Sequence, residues 1–573
     1  MRVLSHLALL SFAAPCFSQL ALPSPAFLPP PAASGAVSSA SAAKPNAQWS
    51  TLLGNLLYFY EAQRSGKLPS TNRVSWRNSS GLDDGNDIDK DLTGGYYDAG
   101  DYLKCTFPMT FTLTSLCWGA IQFGAGYDSA KQTPYLDDML RWGLDWLIKA
   151  HPDPRSLVVQ VGDGRVSPAD NGYWGGDQNF PSPRKTYVIN GTHPGTDAAA
   201  SASAAFSTCS ILYSGSKSAF ANSAPASLAD AKYAATLATH ATQLFSLAAN
   251  SSFKTFTQTL PALKDIYPSS GYIDDLILSA ISLGAATNQI AYISQALDWW
   301  KDSELSGGDY ILNWDSKGPA IPVMLAQLAS AQPGMLPSPS SLGDWQKEAE
   351  GYFDRIINRK GRAYLTSGGL LYYDGDSDDA SLNPAMNAAM LMLHYAPLAT
   401  TNDKKSSYTT FARSQIAYLM GENPMNTPYI VGSSPNAPSN PHSAPASGGS
   451  DIRNINTSPP KMAHVLYGAV VGGPNKFDKF FDIRNDWAQT EVALDYNAPC
   501  LTLAACSVMS ESEDPWYARS QHGANTTATP SGVPCDAACS GSSSSGGSRS
   551  GGLSHAGTIA FAVVLGVVGF AIV

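Results

Sequence analysis

Residues 94–101 read Gly-Gly-Tyr-Tyr-Asp-Ala-Gly-Asp, a stretch that sets two carboxylates, Asp98 and Asp101, three positions apart. Its glycines disfavour the interior of a helix or strand and allow a sharp turn. Residues 103–123, directly downstream, carry apolar side chains at helical spacing and predict a buried helix. An acidic pair before a helix commonly caps its first turn, and it can also hold a water between the two carboxylates. The rest of the chain decides between these uses.

The composition excludes one class of partner and favours a globular, secreted protein. The 573 residues carry a net charge of −10 and no run of Lys or Arg, so a nucleic-acid partner is not expected. Hydrophobic residues make up 44% of the chain and charged residues 14%, with 26 Tyr and 12 Trp. A weakly charged, aromatic composition of this kind is common in secreted proteins that act on sugars or polymers.

Both ends of the chain have the features of targeting segments. Residues 1–18 predict a secretory signal peptide, and residues 19–46 predict a Pro/Ala/Ser-rich linker. Residues 516–555 predict a Ser/Thr/Gly-rich stalk, and residues 556–573 are an uninterrupted apolar and small-residue run. This layout is typical of a glycosylphosphatidylinositol (GPI) attachment signal, with attachment in residues 543–547, although a C-terminal membrane helix is an alternative. We therefore expect an extracellular protein held at the cell surface.

Removal of the signal peptide leaves seven cysteines, an odd number that requires at least one free or unusually paired thiol. We expect Cys535 and Cys539 to pair in the tail, and the sequence leaves the other connections open. No spacing among the cysteines indicates a metal site. Asn-x-Ser/Thr sequons agree with passage through the secretory route. They begin at Asn78, Asn190, Asn250, Asn456 and Asn525.

About a dozen segments between residues 47 and 515 have helical periodicity, and loops rich in Gly, Pro and Asn separate them. Few runs alternate as strands do, and no sequence repeat of fixed period occurs. One large all-α domain over residues 47–515 is the simplest interpretation.

A further acidic centre lies in residues 480–498, where Glu491 opens a predicted helix and Asp482 precedes it by nine residues. Hydrolysis of a glycosidic bond needs one carboxylate to activate water and one carboxylic acid to protonate the leaving oxygen. Carboxylates from both ends of the domain, each beside aromatic residues that stack on sugar rings, would meet that need. Taken alone, Glu491 is more commonly a helix N-terminal charge.

Together these stretches resemble glycoside hydrolase family 9 over residues 48–509. The resemblance rests mainly on two long acidic stretches in the family's order, residues 94–101 and 480–498. In the second stretch the aromatic, acidic and Asn positions all match. Shorter matching motifs are residues 60–69, 76–77, 108–109, 141–143, 270–272, 421–424, 466–468 and 472–475.

The resemblance implies an all-α fold, the (α/α)6 barrel, and an inverting endo-β-1,4-glucanase without a redox cofactor. By the same resemblance Asp101 is the general base and Asp98 helps to orient the water. Glu491 is the general acid, and Asp482 is a supporting carboxylate. The acid must stay protonated at working pH, so we expect an apolar, acidic environment that raises the pKa of Glu491. Base and acid in an inverting enzyme lie about 6.5–9.5 Å apart.

His442 and Tyr496 match positions that contact the sugar beside the cleaved bond. Trp174 is the residue kept from an aromatic and acidic segment of the family, and we expect it to bind substrate. The chain departs from the family after His442, where residues 441–444 read Pro-His-Ser-Ala and lack an arginine that would grip the substrate. The catalytic carboxylates are thus complete while the contacts to substrate are altered.

One metal site comes from the resemblance alone. Ser270, Gly271, Asp274, Asp275 and Asp315 match a structural calcium site of some family members, and carboxylate and carbonyl oxygens suit that ion. The alternative is an ordinary helix start, with Ser270 as N-cap and acidic residues in the first turn. No catalytic metal is expected.

Three hypotheses follow for the function. The first is a surface-anchored, monomeric endo-β-1,4-glucanase that acts on soluble or amorphous chains. The second is a non-hydrolytic glucan-binding or wall-structural protein on a decayed glucanase fold, which the missing arginine favours and the four retained carboxylates disfavour. The third keeps hydrolysis but moves the substrate to a mixed-linkage or other wall glucan.

Overall fold

The computed structural model describes residues 19–31, 43–164, 172–179, 181–215, 220–221, 223–520 and 530–531. Within these residues, twelve helices of at least twelve residues each form the bulk of the domain. They are α1 (Ala47–Ala62), α2 (Thr106–Ser129), α3 (Thr133–Ala150), α4 (Thr196–Tyr213), α5 (Ala231–Asn250), α6 (Ile273–Thr287), α7 (Ile290–Asp302), α8 (Ala320–Ala331), α9 (Leu342–Ile357), α10 (Leu382–Tyr395), α11 (Asn402–Leu419) and α12 (Leu494–Ser510).

The helices pack in two concentric rings. The even-numbered helices α2, α4, α6, α8, α10 and α12 contact one another in that order, and α12 returns to α2. Each of α3, α5, α7, α9 and α11 packs on the inner helix that precedes it in the chain, and α1 packs on α12. This closed arrangement is an (α/α)6 barrel, which confirms the predicted fold class.

Composition decides which helices are inside. All residues of α4 are buried, and most have small side chains such as Ala and Ser. A helix that is surrounded by other helices has no face toward solvent and needs no polar face. Glycines allow α2 to approach α12 closely: a Cβ on Gly119 would lie 2.1 Å from the Thr502 hydroxyl. The outer α9 is amphipathic, with buried apolar residues on one side and charged residues on the other. The inner helices therefore need small residues so that they can pack closely. The outer helices need one apolar face toward the inner ring.

A disulfide between Cys117 and Cys209 joins two inner helices, α2 and α4. Cys105 and Cys500 are buried free thiols, and Cys506 is a half-buried one. The odd cysteine count is thus explained by several free thiols within the described part of the chain. The predicted pair in the tail, Cys535 with Cys539, lies outside the described residues.

Short strands fix the loops that lead into the inner helices. Strands β1 (Lys104–Cys105), β2 (Ser156–Val161) and β3 (Thr186–Asn190) form an antiparallel sheet in that order. Lys104 pairs with Val161, so the sheet holds the end of the acidic stretch at residues 94–101. A separate hairpin consists of β4 (Tyr364–Leu365) and β5 (Leu371–Tyr372).

The packed domain extends beyond both predicted boundaries. Residues 19–31, predicted as part of a linker, lie against the barrel: the Leu20 N–H donates to Asp137 (2.7 Å), and the Phe27 N–H donates to the Tyr135 hydroxyl (2.7 Å). We call residues 19–31 the strap. Their proline-rich composition did not indicate that they pack on the barrel, because an extended segment needs few apolar anchors. At the other end a short helix, Trp516–Arg519, buries two of its side chains against the core, so the predicted stalk cannot begin at residue 516.

The remaining predictions for the ends concern residues that the structure does not describe. The signal peptide, the GPI attachment region and the apolar C-terminal run all lie outside the described residues. Within the described ranges, no helix combines the length and the apolar character needed to cross a membrane.

Removal of the strap's aromatic anchor is expected to destabilise the barrel. Phe27 packs so closely on α1 that a Cβ on Gly54 would lie 2.5 Å from its ring. Phe27→Ala should lower the free energy of unfolding by about 2 kcal/mol, because the ring is half-buried and leaves a gap. The matched control is Leu28→Ala, since Leu28 is 60% exposed and should be neutral. Chemical denaturation would measure both, and equal effects would contradict the anchoring role.

Candidate active site

The acidic loop before α2 is held in shape by its own backbone. The Asp98 N–H donates to the Leu103 carbonyl (2.8 Å), and the Leu103 N–H donates to the Asp101 carboxylate (2.8 Å). The Asp98 carbonyl in turn accepts from the Leu494 N–H at the start of α12 (3.0 Å). These bonds bring the loop against the segment that carries Glu491, about 400 residues further along the chain.

Glu491 lies at the end of a short helix, Trp487–Thr490, and its backbone pairs with that of His442 in a parallel bridge. Its carboxyl group is buried, and the Gly100 backbone of the acidic loop lies beside it. Burial is the largest influence on Glu491, and the negative charges of Asp101 and Asp98 act in the same direction. Together they raise its pKa well above the ordinary value for a glutamate. This is the apolar, acidic environment expected for a general acid.

Asp98 is a buried carboxylate that the site holds from one side. Its Oδ2 accepts a hydrogen bond from the Tyr267 hydroxyl (2.5 Å), while its buried Oδ1 has no hydrogen-bond partner among the described residues. Burial raises the pKa of Asp98 well above its usual range, and Asp495 and Asp101 add to that shift. The fixed Oδ2 and the unpaired Oδ1 suit a group that orients a water molecule.

Asp495 is a fourth acidic group of the site that the sequence reasoning did not single out. It lies on the first turn of α12 and accepts a hydrogen bond from the Asn383 side chain (3.1 Å). Burial raises the pKa of Asp495 to about 7, and its charge raises the pKa values of Asp98 and Glu491. The signal was its place four residues after Glu491, on the same matched stretch. An acidic residue in the first turn of a helix is also common as a charge that stabilises the helix N-terminus.

His442 lies directly beside the acid and the acidic loop. Its backbone N–H donates to the Thr490 carbonyl (2.9 Å), and its ring Nδ1 pairs with the Arg484 carbonyl (2.7 Å). Because a carbonyl only accepts, Nδ1 carries the proton and Nε2 remains as the acceptor nitrogen. Burial lowers the pKa of His442 to about 4, so the ring is neutral at working pH.

Trp174 and Tyr496, the two aromatic residues predicted to contact the sugar, lie in different parts of the site. Trp174 is only 4% exposed and packs against the His442 ring with centroids 4.8 Å apart, so in the structure it supports His442 from behind. Tyr496 is half-buried, and burial together with Asp495 and Glu491 raises its pKa well above the ordinary value. Tyr496 thus lies among the acidic groups, whereas sugar contact by Trp174 stays a prediction.

Asp482 is not part of the carboxylate cluster formed by Asp98, Asp101, Glu491 and Asp495. Its two oxygens accept the backbone N–H groups of Ser439 (2.9 Å) and Asn440 (3.0 Å). Those residues lead into His442, so Asp482 anchors the loop that carries the histidine. The backbone of Asp482 has a φ of 50°, a left-handed conformation that is uncommon for residues other than glycine. The hydrogen bonds to Ser439 and Asn440 help to hold it.

Gly100 is the position at which the acidic loop touches the His442 segment. A Cβ there would lie 2.2 Å from the His442 carbonyl oxygen, and the Ala444 N–H donates to the Gly100 carbonyl (2.7 Å). Gly100→Ala is therefore expected to separate the loop from Glu491 and to lower kcat by roughly 100-fold or more.

The matched control for that variant is Gly343→Ala on α9, where the nearest atom would be 3.8 Å from the new Cβ. Initial rates and thermal unfolding would be measured for both proteins. Full activity in a folded Gly100→Ala protein would contradict the contact as described.

The chain is similar to known proteins over most of its length. A family model described as glycosyl hydrolase family 9 matches residues 49–504. Endoglucanase A of Bacillus pumilus is 37% identical over 454 residues, which are 78% of this chain and 64% of that protein. Endoglucanase 13 of Arabidopsis thaliana is 34% identical, over 79% of this chain and 92% of its own length. The match thus covers less than two thirds of the Bacillus protein and nearly all of the plant one.

Solved structures give the same result. An endoglucanase from the termite Nasutitermes takasagoensis is 35% identical with a TM-score of 0.71, covering 80% of this chain and 98% of the termite chain. The Clostridium thermocellum endoglucanase CelQ complexed with cellotetraose is 28% identical with a TM-score of 0.67, covering 81% and 71% of the two chains. Since the family model spans most of the chain and the fold agrees, the chain belongs to glycosyl hydrolase family 9.

Proposed function

We propose that this chain is an endo-β-1,4-glucanase that cleaves internal bonds of β-1,4-glucans with inversion of configuration. The observation that carries the proposal is the contact between the two acidic stretches, where the Leu494 N–H donates to the Asp98 carbonyl (3.0 Å). It joins a buried acid of raised pKa to the loop that holds two further carboxylates, which is the combination that glycosidic hydrolysis requires.

Each carboxyl group has one role in the proposed reaction. Asp101 accepts a proton from a water molecule as that water attacks the anomeric carbon, and Asp98 holds the same water with its unpaired Oδ1. Glu491 donates its proton to the glycosidic oxygen as the bond to the anomeric carbon breaks. Asp495 helps to keep Glu491 protonated between turnovers, because its charge opposes ionisation of the acid. No redox cofactor enters this sequence of proton transfers.

Two features support a β-1,4-glucan as the substrate. The structural relatives include an endoglucanase complexed with cellotetraose and a cellulase complexed with cellobiose. The neutral His442, whose backbone pairs with that of Glu491, keeps Nε2 as an acceptor nitrogen, which suits a sugar hydroxyl better than a charged group. The arginine missing after His442 would have made a polar contact with the glucan chain. Because this contact is absent, a mixed-linkage glucan is the main alternative to a β-1,4-glucan as the preferred substrate.

We further propose that the protein is secreted and held at the outer cell surface by a GPI anchor. The support is the sequence of the two ends, with an apolar leader at residues 1–18 and an apolar run without basic flank at residues 556–573. Release from intact cells by a phosphatidylinositol-specific phospholipase would support the anchor. Retention after that treatment, with release by detergent alone, would favour the membrane helix instead.

The catalytic proposal is tested by incubating the secreted protein with carboxymethyl-cellulose, mixed-linkage β-glucan and a β-1,3-glucan. We expect the viscosity of carboxymethyl-cellulose to fall well before reducing ends accumulate, because internal cuts shorten chains with few new ends. No release from the β-1,3-glucan is expected. A folded protein that binds glucan but releases no sugar from any of the polymers would support the decayed binder and refute the proposal.

A further inference from the structure

The five residues that resemble a calcium site do lie together in the structure. Asp274 and Asp275 are buried in the first turn of α6, and Asp315 precedes α8. The Ser270 N–H donates to Asp315 Oδ1 (2.8 Å), which joins the two segments. The Ser269 hydroxyl donates to the Gly271 carbonyl (2.9 Å).

A lysine ammonium lies inside this group of acidic residues. Lys317 is 2% exposed, and its Nζ lies 2.9 Å from Asp275 Oδ1. The same Nζ donates to the Trp314 carbonyl, and the Lys317 backbone N–H donates to Asp274 Oδ2 (2.6 Å). The ammonium also lies 4.0 Å from the centre of the Phe107 ring. A buried positive charge therefore already offsets part of the negative charge of the acidic group, at Asp275.

The arrangement does not fit a calcium ion. Calcium takes six to eight oxygen ligands, and here Asp274 Oδ2, Asp315 Oδ1 and the Gly271 carbonyl oxygen already accept hydrogen bonds. Asp275 is paired with the ammonium. In the described part of the chain, no group of three or more His, Cys, Asp or Glu residues has a geometry that could hold a metal ion.

We infer that the Lys317 ammonium takes the place of a structural divalent cation and makes the fold independent of calcium. Segments 269–275 and 314–317 converge on a buried acidic group, and such a group needs a cation to be stable. A lysine supplies that cation within the chain, where it cannot dissociate or be removed by a chelator.

The buried ammonium also lies close to the active site. Lys317 holds the Trp314 carbonyl, and the Trp314 ring packs edge-on against Tyr267 with centroids 4.8 Å apart. Tyr267 donates its hydroxyl hydrogen to Asp98. Three contacts in series thus connect Lys317 to Asp98.

The test measures the thermal unfolding midpoint of the full secreted chain and of its Lys317→Ala variant in calcium chloride and in EDTA. The wild-type midpoint should be the same in both. The variant midpoint should fall by roughly 5–10 °C in EDTA, since an acidic group loses its buried partner. Calcium should recover a substantial part of that loss, because the vacated carboxylates then bind the ion.

Lys104→Ala is the matched control, since Lys104 is a second buried lysine and pairs with Asp84 (2.5 Å). Asp84 also binds the Arg184 guanidinium, so calcium should not rescue this variant. A wild-type midpoint that rises in calcium or falls in EDTA would overturn the inference, as would a Lys317→Ala variant that is indifferent to calcium. The wild-type measurement needs no variant to fold, and none of the readouts depends on the proposed catalytic function.

Discussion

Glu491→Gln is expected to abolish hydrolysis of unactivated β-1,4-glucan, with kcat reduced by roughly 1,000- to 10,000-fold. Glutamine has nearly the shape of glutamate, so the two acidic stretches should stay joined by the hydrogen bond from the Leu494 N–H to the Asp98 carbonyl. It has no proton to transfer to the leaving oxygen. The measurement is the initial rate of reducing-sugar release from carboxymethyl-cellulose.

A substrate with an activated leaving group separates this role from a structural one. A dinitrophenyl cellobioside needs little protonation to depart, so Glu491→Gln should lose far less rate on it than on cellulose. Equal losses on both substrates would mean that Glu491 supports the site without acting as its acid.

The same variant is expected to be more stable than the wild type at neutral pH. Burial raises the pKa of Glu491 above its ordinary value of 4.5, so the folded state keeps the proton that the unfolded state loses. Its contribution to stability is therefore full below pH 4.5 and declines as pH rises toward the folded-state pKa. Glutamine does not ionise, so the unfolding midpoint of the variant should exceed that of the wild type increasingly above that pH. A lower midpoint of the variant at pH 7 would contradict the raised pKa.

Asp101→Asn is expected to remove activity to a similar degree, by loss of the base. Asparagine can still accept the Leu103 N–H, which Asp101 accepts at 2.8 Å, so the loop should keep its shape. It cannot take a proton from water, and kcat should fall by roughly 1,000-fold or more. Azide needs no base to attack, so added azide should restore turnover and yield a glycosyl azide.

The control for azide rescue is Asp482→Asn. Asp482 anchors the Ser439 and Asn440 backbone and lies outside the carboxylate cluster, so its loss should disturb the His442 loop without removing a proton-transfer group. Azide should not restore that variant. Rescue of Asp482→Asn, or none for Asp101→Asn, would reassign the base.

The sequence located the parts of the site that lie on short, contiguous stretches. Asp98, Asp101 and Glu491 each belong to such a stretch, and the (α/α)6 barrel follows from a family resemblance that rests on those stretches. Tyr267 could not be found in this way, because it reaches Asp98 across 169 residues of chain and no local pattern records that contact. The same holds for Lys317, whose partner Asp275 lies on another element.

Two other predictions differ from the structure for local physical reasons. Asp482 has the spacing of a site carboxylate, yet a left-handed backbone turns its oxygens toward the N–H groups of a neighbouring loop. Residues 19–31 have the composition of a linker, yet a single ring at Phe27 and a few backbone hydrogen bonds hold them on the barrel. The composition of a segment describes its average polarity. Whether the segment packs on the barrel depends here on one anchored side chain, Phe27.

The measurement that tests the account most directly is the anomeric configuration of the first product, followed by proton NMR during hydrolysis of a soluble cello-oligosaccharide. Direct attack by a water that Asp101 activates inverts the anomeric carbon, so the α-anomer should appear first and then equilibrate with the β-anomer. Initial formation of the β-anomer would require a covalent intermediate and would contradict the roles given to Asp101 and Glu491.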